Sequence, residues 1–389
     1  MNLDSIRLAI KSSWDIQSEK FVSLHEPQFQ GNDWNYVKDC LDSGWVSSVG
    51  KYVDLFEEKI KEFTGSKYAI ATVNGTAALH ITLRLSDVKQ DDEVLLPALT
   101  FVATANAVSY CHATPHFIDV EKETLGIDPS KLELYLREIV IKKNEYSYNK
   151  NTNKRISALI GMHTFGHSFD IDRVKDICDY YNIAFIEDAA ESLGSFYKGK
   201  HTGTYSKLAA ISFNGNKIVT TGGGGAILTQ DENIAKLAKH ITTTAKVPHK
   251  WEFFHDMIGY NYRMPNLNAA LGCAQLEVLP KYLKFKRKLA NNYIINFKNV
   301  EGVKIFSEPK FSISNYWLNV MLVENSTFEK RDMVLENLNH NNIMARPAWN
   351  LLNNLPMFSH SPKMDLSESI EIEKSLINIP SSSNLIINE

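Results

Sequence analysis

Lys217 stands in a segment of small and polar residues, 212–225, that follows a short apolar run and ends in four consecutive glycines. A lysine shielded from water forms the neutral amine more readily than a hydrated one, because desolvation disfavours the ammonium. A neutral amine can attack a carbonyl carbon and form a Schiff base. The glycines, 222–225, would let the backbone approach a flat cofactor closely. The segment also fits an exposed lysine in a glycine-rich turn, so its interpretation depends on other parts of the chain.

Two other positions have the residue types that would complete such chemistry. Asp188 follows an apolar run, 184–186, that predicts a buried strand. A carboxylate just past the carboxyl end of a parallel strand lies where open α/β sheets bind ligands, although it could equally cap a helix. The turn 74–77 stands between a predicted strand and a predicted helix. Its amides and the helix dipole can hold a phosphate, or it is an ordinary turn with a threonine cap.

Taken together, these parts are what pyridoxal phosphate chemistry requires: a Schiff-base lysine, an acid for the pyridinium nitrogen and a phosphate site. The acid keeps the ring protonated, so that the ring accepts electrons from the substrate carbon. Lys217, once displaced by the substrate amine, would act as the general base. Phe101 could stack on the ring, or it is a core aromatic of a helix.

The elements that must position these residues alternate between strand and helix from residue 68 to residue 228. Short apolar strands separated by helices predict an α/β fold whose mainly parallel sheet is covered on both faces. A polar stretch, 142–154, predicts a surface loop. Beyond residue 265 we expect two long helices separated near Pro280, and then a smaller α/β unit. The expected division is a lead-in, a large domain and a small domain, at 1–20, 21–262 and 263–389.

Composition excludes several classes of protein. The 389 residues are 44% hydrophobic and 22% charged, with a formal net charge of -3, so nothing favours nucleic acid or an anionic membrane as a partner. The four cysteines are far apart, which predicts reduced packing residues in a cytoplasmic protein. The N-terminus does not have the pattern of a signal peptide. The 12 histidines are scattered, so no metal site is expected.

At this point the chain resembles the DegT/DnrJ/EryC1/StrS sugar aminotransferases, which are fold-type I pyridoxal phosphate enzymes acting on keto-sugar nucleotides. The resemblance runs from about residue 20 to the C-terminus, in family order. It implies a large domain with a mixed, mainly parallel sheet between helices, and a smaller C-terminal α/β domain. The matching segments are GTAAL (75–79), PALTF (97–101), EDAAE (187–191), SFNGNK (212–217), GYNYRM (259–264) and RPAW (346–349).

The resemblance also implies roles for individual residues. Lys217 would be catalytic and would carry the cofactor. Asn261 would reach the phosphate of the neighbouring subunit, so a homodimer with shared sites is expected. Glu191 would lie near the ring hydroxyl, where other members have glutamine or histidine, and its role is therefore open. The complete set expected to bind the cofactor is Gly75, Thr76, Ala77, Phe101, Asp188, Glu191, Ser212, Lys217 and Asn261.

Within the family, segments 44–50, 215–217 and 220–225 are most similar to aminotransferases acting at C4 of UDP-4-keto-6-deoxy-N-acetylglucosamine. That similarity implies L-glutamate as the amino donor, a ping-pong reaction, and a product used in bacterial surface glycans of the bacillosamine and legionaminic acid type. Candidates for substrate contacts are Ser47, His163, Tyr316 and Arg346, with Trp349 beside them. Each could equally be a packing or surface residue.

There are four alternatives to this reaction, and the sequence argues against two of them. A C3 aminotransferase for a dTDP-linked 3-keto-6-deoxyhexose would differ only in the sugar pocket. A non-catalytic pyridoxal phosphate-binding scaffold would be expected to have lost Lys217. A nicotinamide dehydrogenase is disfavoured because no GxGxxG follows the first predicted strand. Related dehydratases have histidine in place of the lysine, and Lys217 argues against that reaction.

Overall fold

The computed structural model describes residues 1–16, 18 and 20–387. Helices and strands alternate through the first two thirds of the chain, as the sequence pattern predicts. The α-helices of the described residues are α1 (Leu3–Ser12), α2 (Asp33–Ser43), α3 (Lys51–Thr64), α4 (Gly75–Leu85), α5 (Val102–Tyr110), α6 (Pro129–Ile139), α7 (Ile171–Tyr181), α8 (Glu232–Thr242), α9 (Asn266–Asn296), α10 (Phe328–His340) and α11 (Ser367–Ser375). Short 3-10 helices lie at Thr164–Gly166, Leu352–Asn354, Pro356–Phe358 and Ser383–Leu385.

The strands form one large sheet and three smaller ones. Their bounds are β1 (Tyr68–Thr72), β2 (Glu93–Pro97), β3 (Thr114–Ile118), β4 (Val140–Lys143), β5 (Tyr146–Asn149), β6 (Ile156–Met162), β7 (Ala184–Asp188), β8 (Phe196–Tyr197), β9 (Lys200–His201), β10 (Leu208–Ser212), β11 (Gly225–Thr229), β12 (Val303–Ile305), β13 (Ser312–Ile313), β14 (Asn319–Val323), β15 (Arg346–Pro347) and β16 (Leu376–Ile379).

The large sheet has the strand order β1-β11-β10-β7-β6-β2-β3. Strand β11 runs antiparallel to both of its neighbours, and the other pairs are parallel. The expected mixed, mainly parallel sheet is therefore confirmed. The carboxyl ends of β1, β2, β7 and β10 consequently meet at one edge of the sheet, where open α/β folds bind ligands.

Both faces of this sheet are covered. Every residue of β2, β6 and β11 is buried, although successive side chains of a strand point to opposite faces. Helices α3 and α8 pack on β1, α4 packs on β10 and β11, and α7 packs on β7. This two-sided burial explains why the strands read as continuous apolar runs instead of alternating ones.

A second apolar core lies in the C-terminal part of the chain. The four-stranded sheet β12-β14-β16-β15 packs there with α10, the end of α9 and the N-terminal helix α1. Ile10 of α1 and Tyr293 of α9 are both fully buried in this core. The division at residues 20 and 262 stays a prediction, and the packing of α1 beside the C-terminal sheet is a feature that the sequence did not indicate.

Two expectations about local structure are wrong. Helix α9 runs without interruption through Pro280, because side chains before and after the proline are anchored in the two cores, among them Leu279 and Leu289. The stretch expected to be a polar loop contains the hairpin β4–β5. Buried polar contacts hold this hairpin: Asn149 Nδ2 donates to Glu93 Oε2 over 2.9 Å.

Other features of the chain bear on its partners. None of the helices in the described residues combines the length and apolar character that crossing a bilayer requires. The four cysteines are free and buried. Within residues 1–16, 18 and 20–387, no three His, Cys, Asp or Glu side chains are grouped as a metal site would need.

Candidate active site

A cavity of about 270 Å³ opens at the edge where the carboxyl ends of the parallel strands meet. Eight of the residues selected from the sequence line it, although they come from five separate segments of the chain. The predicted residues in its wall are Gly75, Thr76, Phe101, Asp188, Glu191, Ser212, Lys217 and Trp349. Strand order explains their convergence, since β1, β2, β7 and β10 each end just before one of these segments.

Lys217 lies in the loop after β10, and its side chain is largely buried. Its Nζ is 3.2 Å from Oε1 of Glu191 and 3.7 Å from the centroid of the Trp317 ring. An acidic side chain thus contacts the lysine in space, although none is adjacent in the sequence. Both contacts restrict the position of the amino group.

Asp188 ends β7 and is 2% exposed. Thr104 Oγ1 donates to its Oδ2 over 2.8 Å, and the Ala190 N–H donates to its Oδ1 over 3.2 Å. Burial raises the pKa of the Asp188 carboxyl, while these hydrogen bonds and the nearby Lys217 oppose the rise. No helix begins at Asp188, so the reading of this residue as a helix cap is wrong.

Glu191 is buried beside Lys217. Besides contacting the lysine, its carboxylate accepts a hydrogen bond at Oε2 from the Phe165 N–H over 2.8 Å. Burial raises the pKa of Glu191 to about 7, against the opposing influence of Lys217. A carboxyl group with that pKa exchanges a proton near neutral pH.

The turn before α4 forms a cradle for an anion. Asn74, not a threonine, caps the helix: its side chain accepts the Ala77 N–H over 2.7 Å. Ala77 therefore lies within the first turn of α4 and is not part of the cavity wall. The N–H groups of Gly75 and Thr76 belong to the first helical turn, whose donors the helix itself does not use. A Cβ on Gly75 would lie 2.8 Å from Cβ of Ser212, so glycine lets the two segments meet.

The glycine run 222–225 serves a different purpose from the one expected. A Cβ on Gly225 would lie 2.5 Å from the backbone of Asn74, and one on Gly224 would lie 2.2 Å from Oγ1 of Thr221. The close approach is therefore between β11 and the turn before α4. Gly225 allows that approach, and all four glycines lie outside the cavity wall.

Aromatic side chains line the mouth and side of the cavity. Phe101 precedes α5 and is 49% exposed, so its reading as a core aromatic is wrong. Its ring centroid is 6.1 Å from that of Trp349, and Trp349 stacks on Phe165 at 4.9 Å. Trp317, which the sequence reasoning did not select, lines the cavity from the C-terminal part of the chain.

The remaining predicted residues lie outside the cavity wall of this chain. His163 is fully buried, with Nε2 3.1 Å from Oε1 of Glu187 and its ring stacked on Phe169. Tyr316 is also buried, and its hydroxyl accepts the Glu308 N–H. Ser47, Asn261 and Arg346 are exposed.

Thr104, Phe165 and Trp317 are residues that the sequence reasoning missed. Thr104 follows Phe101 by three residues. If a helix begins there, the two side chains lie one helical turn apart, and this spacing was the available signal. Trp317 stands 100 residues after Lys217, and no local pattern joins the two.

The residues of the cavity fit pyridoxal phosphate. An amine on Lys217, a buried carboxylate on Asp188 and an anion cradle at the start of α4 face one space, and Phe101 offers an exposed ring. The buried Asp188 carboxylate has lone pairs beyond the two hydrogen bonds it accepts, which suits a protonated ring nitrogen.

Comparison with known proteins agrees with this geometry. Residues 27–389 match the DegT/DnrJ/EryC1/StrS aminotransferase family. The chain is 36% identical to the putative pyridoxal phosphate-dependent aminotransferase EpsN of Bacillus subtilis, over 95% of this chain and 93% of EpsN. It is 35% identical to GDP-perosamine synthase of Escherichia coli O157:H7, over 93% of each chain.

A solved structure shares the fold. The Helicobacter pylori aminotransferase PseC, which is involved in the biosynthesis of pseudoaminic acid, superposes with a TM-score of 0.85 at 25% identity, over 94% of this chain and 95% of PseC. The chain belongs to the DegT/DnrJ/EryC1/StrS aminotransferase family and is a pyridoxal phosphate-dependent sugar aminotransferase.

Proposed function

We propose that this enzyme transfers an amino group from L-glutamate to C4 of a UDP-linked 4-keto-6-deoxy-N-acetylhexosamine, for a bacterial surface glycan. The observation that carries the catalytic part is the convergence of Lys217, Asp188 and the first turn of α4 on one cavity. The choice of sugar and nucleotide is supported by the similarity of segments 44–50, 215–217 and 220–225 to C4 aminotransferases of that class.

In this proposal each group of the site has a separate role. Pyridoxal phosphate, when bound, supplies an aldehyde and a ring that accepts the electron pair released at the amino donor's Cα. Asp188 would hold the proton on the ring nitrogen. The N–H groups of Gly75 and Thr76, with the Ser212 hydroxyl, would hold the phosphate. Lys217 would remove the proton from the donor's Cα and deliver it to the former aldehyde carbon of the cofactor.

The support for a role in substrate binding differs among the four proposed residues. Arg346 is exposed on β15, where a guanidinium can bind diphosphate oxygens in a bidentate manner. Ser47 lies in an exposed loop whose backbone is tied to α9, since the Asn266 N–H donates to the Ser47 carbonyl over 2.7 Å. His163 and Tyr316 are buried, so their part in substrate binding would be indirect.

We also propose a homodimer with shared active sites. Support comes from residues 251–258, here called the apolar arm, whose large apolar side chains are between 47% and 87% exposed. Such a group of exposed apolar side chains marks a protein–protein contact. Asn261 follows the arm and is exposed outside its own chain's cavity, as a residue that serves the neighbouring subunit would be. The exposed apolar side chains of the arm are those of Trp251, Phe253, Phe254, Met257 and Ile258.

A GDP-linked keto sugar is the second candidate substrate, because GDP-perosamine synthases of two bacteria are 34% and 35% identical to this chain. The remaining alternative is amination at C3 of a dTDP-linked 3-keto-6-deoxyhexose.

The test begins with absorbance spectra of the purified protein with pyridoxal phosphate, before and after L-glutamate. An absorbance band near the edge of the visible range that requires Lys217 and disappears when glutamate is added supports an aminotransferase. The glutamate-treated enzyme is then given UDP-, GDP- and dTDP-linked keto sugars in parallel, and the amino sugars are identified by mass spectrometry and NMR. Amination of the UDP sugar at C4 supports the proposal, and exclusive amination of another sugar overturns it. A protein that forms no Lys217-dependent band would be a scaffold.

A further inference from the structure

We propose that Trp317 is a positioning residue that, together with Glu191, forms a holding site for the free amine of Lys217. This inference rests on the proposed role of Lys217. The Lys217 Nζ lies 3.7 Å from the centroid of the Trp317 ring and 3.2 Å from Oε1 of Glu191. An aromatic face and a carboxylate therefore contact the same amino group.

Trp317 is fixed at each of its polar groups. Its backbone N–H donates to Oδ1 of Asn315 over 2.8 Å, and its indole N–H donates to the carbonyl of Asn216 over 2.8 Å. Its carbonyl accepts from Nζ of Lys286 over 3.2 Å. A side chain tethered in this way has few other orientations, so its ring face stays directed at Lys217. The bond to Asn216 also fixes the backbone next to the lysine.

The two halves of the holding site are tied to each other by Asn315. The Nδ2 of this buried residue donates to the carbonyls of Glu191 and Leu193, each over 2.9 Å. The Oδ1 of the same side chain accepts from Trp317. One amide thus sets the separation of the carboxylate and the ring, although Glu191 and Trp317 are far apart in sequence.

Backbone strain at Phe165 supports a functional reason for this arrangement. Phe165 has a φ of 56°, which is uncommon for a bulky residue. Its N–H donates to Oε2 of Glu191 over 2.8 Å, and its ring stacks near Trp317 at 6.4 Å. Strained backbone of this kind persists where surrounding contacts fix it, and it is concentrated at active sites. Phe165 therefore braces both members of the holding site.

The physical consequence concerns the free lysine. A long, flexible lysine side chain released into a cavity samples many rotamers. The contact with a carboxylate and the cation–π contact restrict it. Trp317 should therefore keep the amine near the reacting position and cover it from reagents in solution.

Two readouts of opposite sign test this inference on the full-length, cofactor-stripped protein. The first is reductive methylation of Lys217 by formaldehyde and cyanoborohydride, followed by mass spectrometry of its peptide. In Trp317→Leu we expect methylation to become about three- to tenfold faster, because the ring that lies 3.7 Å from the amine no longer covers it. The second is the rate at which added pyridoxal phosphate produces the Lys217-dependent absorbance band. We expect that rate to fall by a similar factor, because the amine is no longer held in place.

Controls separate positioning from unfolding. Trp34→Leu makes the same substitution at a tryptophan that is 74% exposed and outside the cavity wall, and should leave methylation of Lys217 unchanged. Methylation of the exposed Lys236, in the same digest, reports on general loosening. Trp317→Phe retains an aromatic ring and should give intermediate values for both rates, so it tests the inference if the leucine variant does not fold.

Rates that move in the same direction, or do not move, overturn the holding site. If the wild-type protein forms no Lys217-dependent band, the proposed function fails instead. A wild type that loads normally, with variants that match it in both rates, refutes this inference alone.

Discussion

Thr104 on helix α5 donates a hydrogen bond from Oγ1 to Oδ2 of Asp188 over 2.8 Å, at the carboxyl end of β7. Burial raises the pKa of this carboxyl, and the Thr104 hydroxyl acts against that rise because it stabilises the ionised form. A neutral side chain on a neighbouring helix thereby favours the ionised form of Asp188, which is the form that would bind a protonated ring nitrogen.

Thr104→Val tests this relationship, since valine keeps the shape and removes the donor. We expect cofactor affinity to fall about three- to tenfold, because one hydrogen bond to a buried carboxylate is lost. The measurement is titration of cofactor-stripped protein with pyridoxal phosphate, followed by absorbance. Thr100→Val is the matched control: Thr100 Oγ1 is 3.2 Å from Thr104 Oγ1 and one step further from Asp188. Equal losses in both variants would contradict the prediction.

The contact between Gly75 and Ser212 predicts a steric effect. A Cβ added at Gly75 would lie 2.8 Å from Cβ of Ser212, so Gly75→Ala must displace the start of α4 from β10. We expect a stability loss of about 1–3 kcal/mol in urea unfolding, and weaker competition by inorganic phosphate against cofactor binding. Gly223→Ala is the control, because a Cβ there meets no atom within 4 Å. That variant should stay within about 0.5 kcal/mol of wild type.

Glu191 predicts a pH dependence of the stability of the cofactor-stripped protein. Its pKa is raised from 4.5 to about 7 by burial, so the folded state binds this proton more tightly than the unfolded state. The associated stability is fully present below pH 4.5 and is lost as the pH rises through about 7. Relative to Glu191→Gln, the wild type should lose up to roughly 3 kcal/mol between pH 4.5 and 8.

Urea unfolding of wild type and Glu191→Gln at several pH values measures this difference. The glutamine variant is the internal reference, since it has a similar shape and does not titrate. A difference in unfolding free energy that stays constant over this range would show that Glu191 ionises normally in the folded protein.

Much of the site could be predicted because its residues lie at the ends of strands. Asp188 and Ser212 end apolar runs that can only be buried strands, and parallel strands bring such ends to one edge. The order of the strands in the sheet was not predictable from these runs, yet it is what brings Gly75 beside Ser212 across β11.

The parts that escaped prediction depend on contacts between distant segments. Trp317 contacts Lys217 because the segment 314–318 packs against the turn at Phe165. The periodicity of apolar residues in the sequence does not predict that packing. Pro280 was read as a break because an interior proline loses a hydrogen bond, but apolar anchoring on both sides outweighs that loss. The cap at Asn74 could not be told from the threonine cap weighed for this turn, because both residue types are favourable at a helix start.

The apolar arm predicts a change of assembly. The double variant Phe253→Asp, Ile258→Asp places two charges on side chains that are 81% and 87% exposed. If the arm is buried between two copies, burying unpaired carboxylates should weaken the dimer at least tenfold. Sedimentation velocity at several protein concentrations measures this. Leu134→Asp, at a 65% exposed leucine on α6, is the control and should sediment like wild type. Identical sedimentation of all three proteins would place the interface elsewhere.

Shared active sites predict complementation between two inactive variants. Lys217→Ala removes the amine, and Asn261→Ala removes the group proposed to reach the partner's phosphate site. In a mixed dimer one site has an intact lysine and an intact partner Asn261, whereas the other site lacks both. Co-expressed variants with different tags, purified through both, should regain about half of the wild-type glutamate half-reaction. Each variant alone should retain at most a few per cent, because one loses the amine and the other part of its phosphate site. Mixed dimers no more active than the parent variants would show that Asn261 serves its own chain, and the exposed position of this residue would then need another explanation.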